Sequence, residues 1–194
     1  MTDEDRLDPD PDPSGQLTYN VARLLGEETG SQRTFTVVGV LLDLGADLTQ
    51  SAPLEGSIVA LRVGRGLLVR GALTTSLAIA CSRCLRPVKV AIEVDLEEDV
   101  SPSVDIATGA PVPAGTDPEA LRLTSHHELV LGTTMRDLIL LGEPIAPLCR
   151  PDCPGLCTVC GIELASGPHD HPEVEIDPRL AALAAFRPSG PPDG

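Results

Sequence analysis

Six cysteines are the residues of this chain best equipped for chemistry, and they fall into two tight groups. "CSRCLRP", Cys81–Pro87, holds Cys81 and Cys84. After 64 intervening residues, "LCRPDCPGLCTVCG", Leu148–Gly161, holds Cys149, Cys153, Cys157 and Cys160. Clusters of this kind serve as a disulfide framework, a redox dithiol or a metal site. Disulfides belong to oxidising compartments. The opening "MTDEDRLDPDPDP" is acidic and proline-rich, where an export signal needs a basic start and an apolar run. No stretch reaches the roughly 18–20 apolar residues of a membrane-spanning helix. The chain is therefore expected in the cytoplasm, where clustered thiols bind metal or exchange electrons.

A redox C-x-x-C sets its first cysteine at a helix N-terminus, whose dipole lowers the thiol pKa. "LRPVKV", with its proline and β-branched residues, does not supply such a helix, so "CSRC" reads as a zinc knuckle on a turn between two strands. "GLCTVCG" reads as a second knuckle, with Gly161 free to take the positive φ that ends the loop. Two knuckles complete one tetrahedral four-cysteine site. The expected ligands are Cys81, Cys84, Cys157 and Cys160, around one structural zinc. Two alternatives stay open for Cys149 and Cys153. In the first, "CRPDC" replaces the second knuckle and pairs with Cys81 and Cys84. In the second, Cys149, Cys153, Cys157 and Cys160 form a local site. His169 and His171 of "PHDH" could substitute but read as solvated loop residues. Arg83, Arg86 and Arg150 neighbour the thiolates, where they would offset the −2 charge of a zinc–tetrathiolate centre.

A four-thiolate site has no open position for water, so it is structural rather than hydrolytic. The chain has no G-x-S-x-G elbow, no Walker loop and no H-E-x-x-H. His126-His127 reads as a pair at a strand edge, and the acidic runs read as solvated surface. The expectation is a protein that is not an enzyme.

The elements that must hold the cysteines are mostly strands. "FTVVGVLL" from Phe35 is short and β-branched. "GSIVALRV" and "GLLVRGALTTSLAIA" flank Gly64-Arg65-Gly66 as an antiparallel hairpin. "VKVAIEVDLEE" alternates Val88, Val90, Ile92, Val94 and Leu96 against Lys89, Glu93, Asp95 and Glu97, the pattern of a half-buried strand. "HHELVL" predicts another. "TTMRDLILLGEPI" predicts a short helix capped by Thr133 or Thr134, and "PRLAALAAF" a second opening on Pro178. The fold class is α+β: mainly antiparallel sheet with one or two short helices and a zinc-knuckle-like site. A single domain is expected over 16–186, carrying a Pro/Gly-rich loop at 101–118, between disordered tails at 1–15 and 187–194.

Charge narrows the partner. The formal net charge is −15 and aromatics are 2% of the chain, which opposes phosphate contacts and nearly excludes stacking platforms for bases. The charges segregate, however. Arg62, Arg65, Arg70, Arg83, Arg86 and Lys89 lie in a stretch, 56–92, that has no acid, and eight acids follow over 93–119 with no base. The stretch reads either as a solvated strand face or as a basic island, with Arg65, Arg83 and Arg86 as candidate RNA or partner contacts while the acidic strand turns away.

"CSRCLRPV", an acidic strand and loop, and a helix leading into "PLCRPDCPGLCTVCG" together resemble the YceD family, whose members are called large ribosomal RNA subunit accumulation proteins. The resemblance covers about residues 17–187, including "YNVARLLGEETGSQRTF" early and "DPRLAALAAF" late. It implies a role in accumulation or maturation of large-subunit ribosomal RNA, with no catalytic residue to carry over. The motif cysteines carry over to Cys81, Cys84, Cys149, Cys153, Cys157 and Cys160. Some relatives lack the second knuckle and keep only residues matching Cys149 and Cys153, which speaks for the first alternative. Two partners are expected: large-subunit ribosomal RNA or precursor particles, or a small basic ribosomal protein held by an acidic module.

Overall fold

A computed structural model describes residues 17–45, 48–114, 120–171 and 179. The tails expected at 1–15 and 187–194 lie outside the described residues, and so does the helix expected from Pro178, apart from Arg179. Four strands form an antiparallel sheet in the order β2-β3-β4-β5: β2 (Gln32–Val40), β3 (Thr49–Val63), β4 (Gly66–Ala80) and β5 (Pro87–Val100). The hairpin expected around Gly64-Arg65 joins β3 to β4, and the alternating segment is β5; β4 has the expected bounds, while β3 and β5 run longer than their sequence patterns mark out.

Alternation decides which face is buried. On β4, Leu67, Val69, Leu73, Leu77 and Ile79 point inward, and on β5 Ile92, Val94, Leu96 and Val100 do the same. Cross-strand rungs such as Leu73↔Val94 and Leu67↔Val100 stack these side chains into one core. Two irregularities shift the β3–β4 register between Gln50 and Glu55. Thr75, the one polar side chain buried there, donates its hydroxyl to the Ala52 carbonyl at 2.8 Å and accepts from the Gln50 amide at 2.9 Å.

A smaller two-stranded sheet covers this core. It pairs β1 (Thr18–Asn20) with β6 (Glu128–Val130) and is followed in the chain by the short helix α1 (Ala22–Leu25) at one end and by α2 (Gly132–Leu141) at the other. β6 is the strand expected from "HHELVL", and α2 is the helix expected from "TTMRDLILLGEPI", ending at Leu141 before the last four residues of that stretch. The expected cap is corrected: Leu131 is the N-cap residue, without a side-chain cap, and Thr133 and Thr134 sit inside the first turn. Tertiary bonding sets that start instead. The Leu131 amide donates to the Leu17 carbonyl at 3.0 Å, and its side chain is fully buried. His127 lies on the turn into β6 with a φ of 58°, not on a strand edge.

This layout fixes where chemistry can occur. The β4–β5 connection, 81–86, lies at one end of the sheet, and the chain leaving α2 passes it at 147–157. The Gly64-Arg65 turn lies at the other end, about 45 Å away along the 15-residue β4.

Candidate metal centre

Both C-x-x-C segments fold into the same turn. In the first, the Cys81 amide donates to the Arg86 carbonyl at 2.8 Å and the Leu85 amide returns to the Cys81 carbonyl at 2.9 Å. In the second, the Cys157 amide donates to Ile162 at 2.8 Å and the Gly161 amide to Cys157 at 2.9 Å. The residue after the second cysteine is left-handed in each, with φ 60° at Leu85 and 72° at Gly161. Glycine takes that conformation without strain. Leu85 does so against its Cβ, with a side chain that stays exposed.

The structure does not gather Cys81, Cys84, Cys157 and Cys160 into one site. It builds two. Cys81, Cys84, Cys149 and Cys153 converge with all four sulfurs within 4.8 Å of one another, the arrangement of the first alternative. Cys157 and Cys160 converge instead with His169 and His171, also within 4.8 Å. All six thiols are free.

The first cluster is fastened by backbone. The Ser82 amide and hydroxyl donate to the Pro147 carbonyl at 2.8 and 3.0 Å. The Leu156 amide donates to the Arg83 carbonyl at 3.1 Å, and the Arg83 guanidinium to the Cys153 carbonyl at 2.9 Å. Cys81, Cys84 and Cys153 are buried against Val88, Leu148 and Leu156, while Cys149 is at the surface. Pro147, Pro151 and Pro154 keep this stretch from becoming helical.

The sulfur spacing suits a tetrahedral ion. Zinc–sulfur bonds of about 2.3 Å place the sulfurs of a tetrahedron about 3.8 Å apart. Here Cys84 and Cys149 are 3.6 Å apart, and Cys81 and Cys153 are 3.9 Å apart. The adjoining cavity is ≈ 20 Å³, lined by Cys84, Cys149 and Cys153 with Arg86 and Arg150, which is room for an ion or a water and not for a substrate. Thiol acidities say the same. The amide of Cys84, then those of Arg83 and Cys149, pull the Cys81 thiol down to about 6 against the effect of burial. Cys149 is pushed up to about 12 by the Cys153 thiol, by burial, and by Cys84 and Cys81. Cys84 rises as well: the Arg86 amide favours its thiolate, but burial and the Cys81 and Cys153 thiols outweigh it. One thiolate, Cys81, is thus prepared by amides, while Cys84 and Cys149 are held back by burial and by neighbouring thiols. A bound dication removes that mutual repulsion.

The basic residues are less available than their sequence clustering implies. Arg62 is folded inward, donating to the carbonyls of Leu25, Gly64 and Gly66 at 3.2, 2.7 and 2.9 Å. Arg70 stands opposite Glu97 in the β4–β5 register and pairs with it at 3.2 Å. The acidic strand therefore lies against the basic one and does not turn away. Arg86 forms a two-pronged ion pair with Glu163, and Arg83 is bonded to Cys153. Arg83 and Arg86 flank the cysteine cluster, whereas Arg65 lines a separate cleft of ≈ 430 Å³ at the far end of the sheet with Asp105 and Ile106. The three do not form one patch.

Sequence reasoning set aside His169 and His171. Their signal was a C-x-x-C followed after eight residues by H-x-H, shorter than the usual spacing of a mixed finger.

The sequence model of the family described as "Large ribosomal RNA subunit accumulation protein YceD" matches residues 69–187. Among curated proteins, the chain is similar to uncharacterized proteins of Mycobacterium bovis and Mycobacterium tuberculosis. Each is 35% identical over 171 residues, covering 86% of this chain and 79% of the relative. An uncharacterized protein of Mycobacterium leprae is 30% identical over 144 residues, covering 74% of this chain and 61% of the relative. No solved structure matches the chain.

Proposed function

The chain belongs to the YceD family of large ribosomal RNA subunit accumulation proteins, and from that premise we propose that it is a non-enzymatic ribosome-biogenesis factor. In this reading it supports accumulation of the large-subunit ribosomal RNA indirectly, as an acidic, metal-stapled module that holds a small basic ribosomal protein. The observation carrying the reading is the solvent face of the edge strand β5. Glu93, Asp95, Glu97 and Asp99 stand exposed along it at every second residue. Ala72 and Thr74 lie beside Asp95 and Glu93 on β4, small enough to leave the row open. With a net charge of −15, this face attracts a cationic protein and repels a phosphate backbone.

Cys81, Cys84, Cys149 and Cys153 would hold one zinc, which when bound supplies a structural cross-link between the β4–β5 turn and the segment after α2. No helix among the described residues is long and apolar enough to cross a membrane.

Binding of the full chain to large-subunit ribosomal RNA and to purified basic ribosomal proteins, across a salt series, tests the reading. The expected result is saturable binding to a basic protein that weakens steeply with salt, and none to RNA. Tight RNA binding whose salt slope becomes shallower by about one unit per arginine removed at Arg83 and Arg86 would overturn it in favour of direct RNA contact.

A further inference from the structure

We infer that Cys157, Cys160, His169 and His171 form a second metal site, a mixed thiolate–imidazole centre for zinc, independent of the cysteine cluster at the end of the sheet. Its first support is the turn itself. Cys157–Gly161 reproduces, bond for bond, the turn that presents Cys81 and Cys84 to their cluster. The Val159 amide points at the Cys157 sulfur at 3.4 Å, as amides do in turns that present a thiolate.

The second support is convergence without a core. The Leu156↔Glu163 bridge closes a small hairpin, the 3-10 turn Leu164–Ser166 follows, and Gly167, at φ 126°, sends the chain back so that both histidines return to the hairpin tip. Cys157 Sγ and His171 Nε2 are 3.1 Å apart, and Cys160 Sγ and His169 Nε2 are 3.6 Å apart. Tetrahedral zinc with one sulfur and one nitrogen ligand sets that separation at about 3.6 Å, which the Cys160–His169 pair meets while the Cys157–His171 pair is closer. Both histidines offer Nε2, and the other ring nitrogen of His169 faces the Gly167 carbonyl at 3.4 Å, the outer contact that orients a metal-bound imidazole. No apolar packing explains the arrangement: Val159, Ile162 and Leu164 around it are all exposed. A cross-link through an ion is the kind of restraint so small and coreless a unit needs.

The donor set selects the ion. Two thiolates and two imidazoles in a tetrahedron suit zinc over magnesium, calcium or manganese. Two thiolates and two neutral imidazoles leave a zinc-loaded site without net charge, unlike the tetrathiolate centre. It is also the more exposed of the two, so chelators should strip it first.

The test is metal counting on the full chain, purified under reducing conditions with zinc supplied, by native mass spectrometry. Wild type should carry two zinc ions, and the double variant His169→Gln, His171→Gln one, with its circular dichroism unchanged. Brief chelation of wild type should remove one ion and give the same species. Cobalt substitution covers a variant that fails to fold: the visible spectrum of wild type should contain a mixed sulfur–nitrogen centre beside an all-sulfur one. One ion in wild type, unaffected by the histidine changes, would overturn this site and leave the cysteine cluster standing. One ion lost with the histidines would support this site and refute the cluster. Two ions retained in the histidine variant, a purely all-sulfur cobalt spectrum, or no metal at all would overturn it.

Discussion

At the scale of single residues, the cysteines separate by what surrounds them. Cys153 is 1% exposed and closes the cluster at the end of the sheet, whereas Cys160 is at the surface on a hairpin with no core. Cys153→Ser should therefore lose cooperative thermal unfolding together with one metal ion, while Cys160→Ser keeps the main transition and loses only the outer ion. Calorimetry beside metal analysis checks both, and equal damage from the two would show that the centres are not independent. Thr75 makes a second case. Thr75→Val keeps the shape but leaves the Ala52 carbonyl and the Gln50 amide without their partner in a buried place. A loss of about 1–3 kcal/mol in urea unfolding is expected. That cysteines would cluster was legible from their spacing. Which would meet was not, because the two turns are alike and only the path of 147–157, set by contacts such as Ser82 to Pro147, chooses between them.

At the scale of elements, the strict alternation of β5 and the glycine turn between β3 and β4 were readable because one side of each strand is buried. β1 and α1 were not: three and four residues carry too little period to register, and they are held by partners more than a hundred residues away, such as the Val21 amide on the His127 carbonyl. The β3 irregularities were invisible because they are set by pairing with β2 and β4 rather than by the local pattern. They bear on Gly56, at φ 152°, where a Cβ would lie 2.3 Å from the Ala72 carbonyl oxygen. Gly56→Ala must push β3 off β4 and should cost about 1–3 kcal/mol or more, read by chemical denaturation. The loop after β5 offers a pH test. The Thr108 amide, with its hydroxyl and the Ala107 amide, holds the Asp105 carboxyl below the usual carboxylate range, with Arg65 helping. A depressed carboxylate stabilises its turn above its ordinary pKa, and that contribution is lost as pH falls through the lowered folded value. Protection of the Ala107 and Thr108 amides, measured against their intrinsic exchange rates at each pH, should therefore fall on acidification only below about pH 4. Arg65→Gln should move that onset upward; an onset at higher pH in wild type would refute the turn's role.

At the scale of the whole molecule, the net charge of −15 has a direction, which neither composition nor charge order along the chain reveals. Register does: Arg70 meets Glu97 across the β4–β5 ladder, and Arg62 and Arg86 are engaged elsewhere, so the apparent basic island dissolves while the β5 row stays open at Glu93, Asp95 and Asp99. If that row recruits a basic ribosomal protein, long-range attraction should dominate the rate of encounter rather than the lifetime of the complex. The triple change Glu93→Gln, Asp95→Asn, Glu97→Gln leaves every buried rung intact and removes three charges from the row. Association at low salt should slow by about tenfold or more, with dissociation little changed. The gap between variant and wild type should close toward 1 M salt, where screening acts over about 3 Å. Stopped-flow mixing with a labelled basic protein reads both rates. An unchanged association rate in the folded, metal-loaded triple variant would remove the β5 face as the docking surface and leave the arginines beside the cysteine cluster as the next place to look.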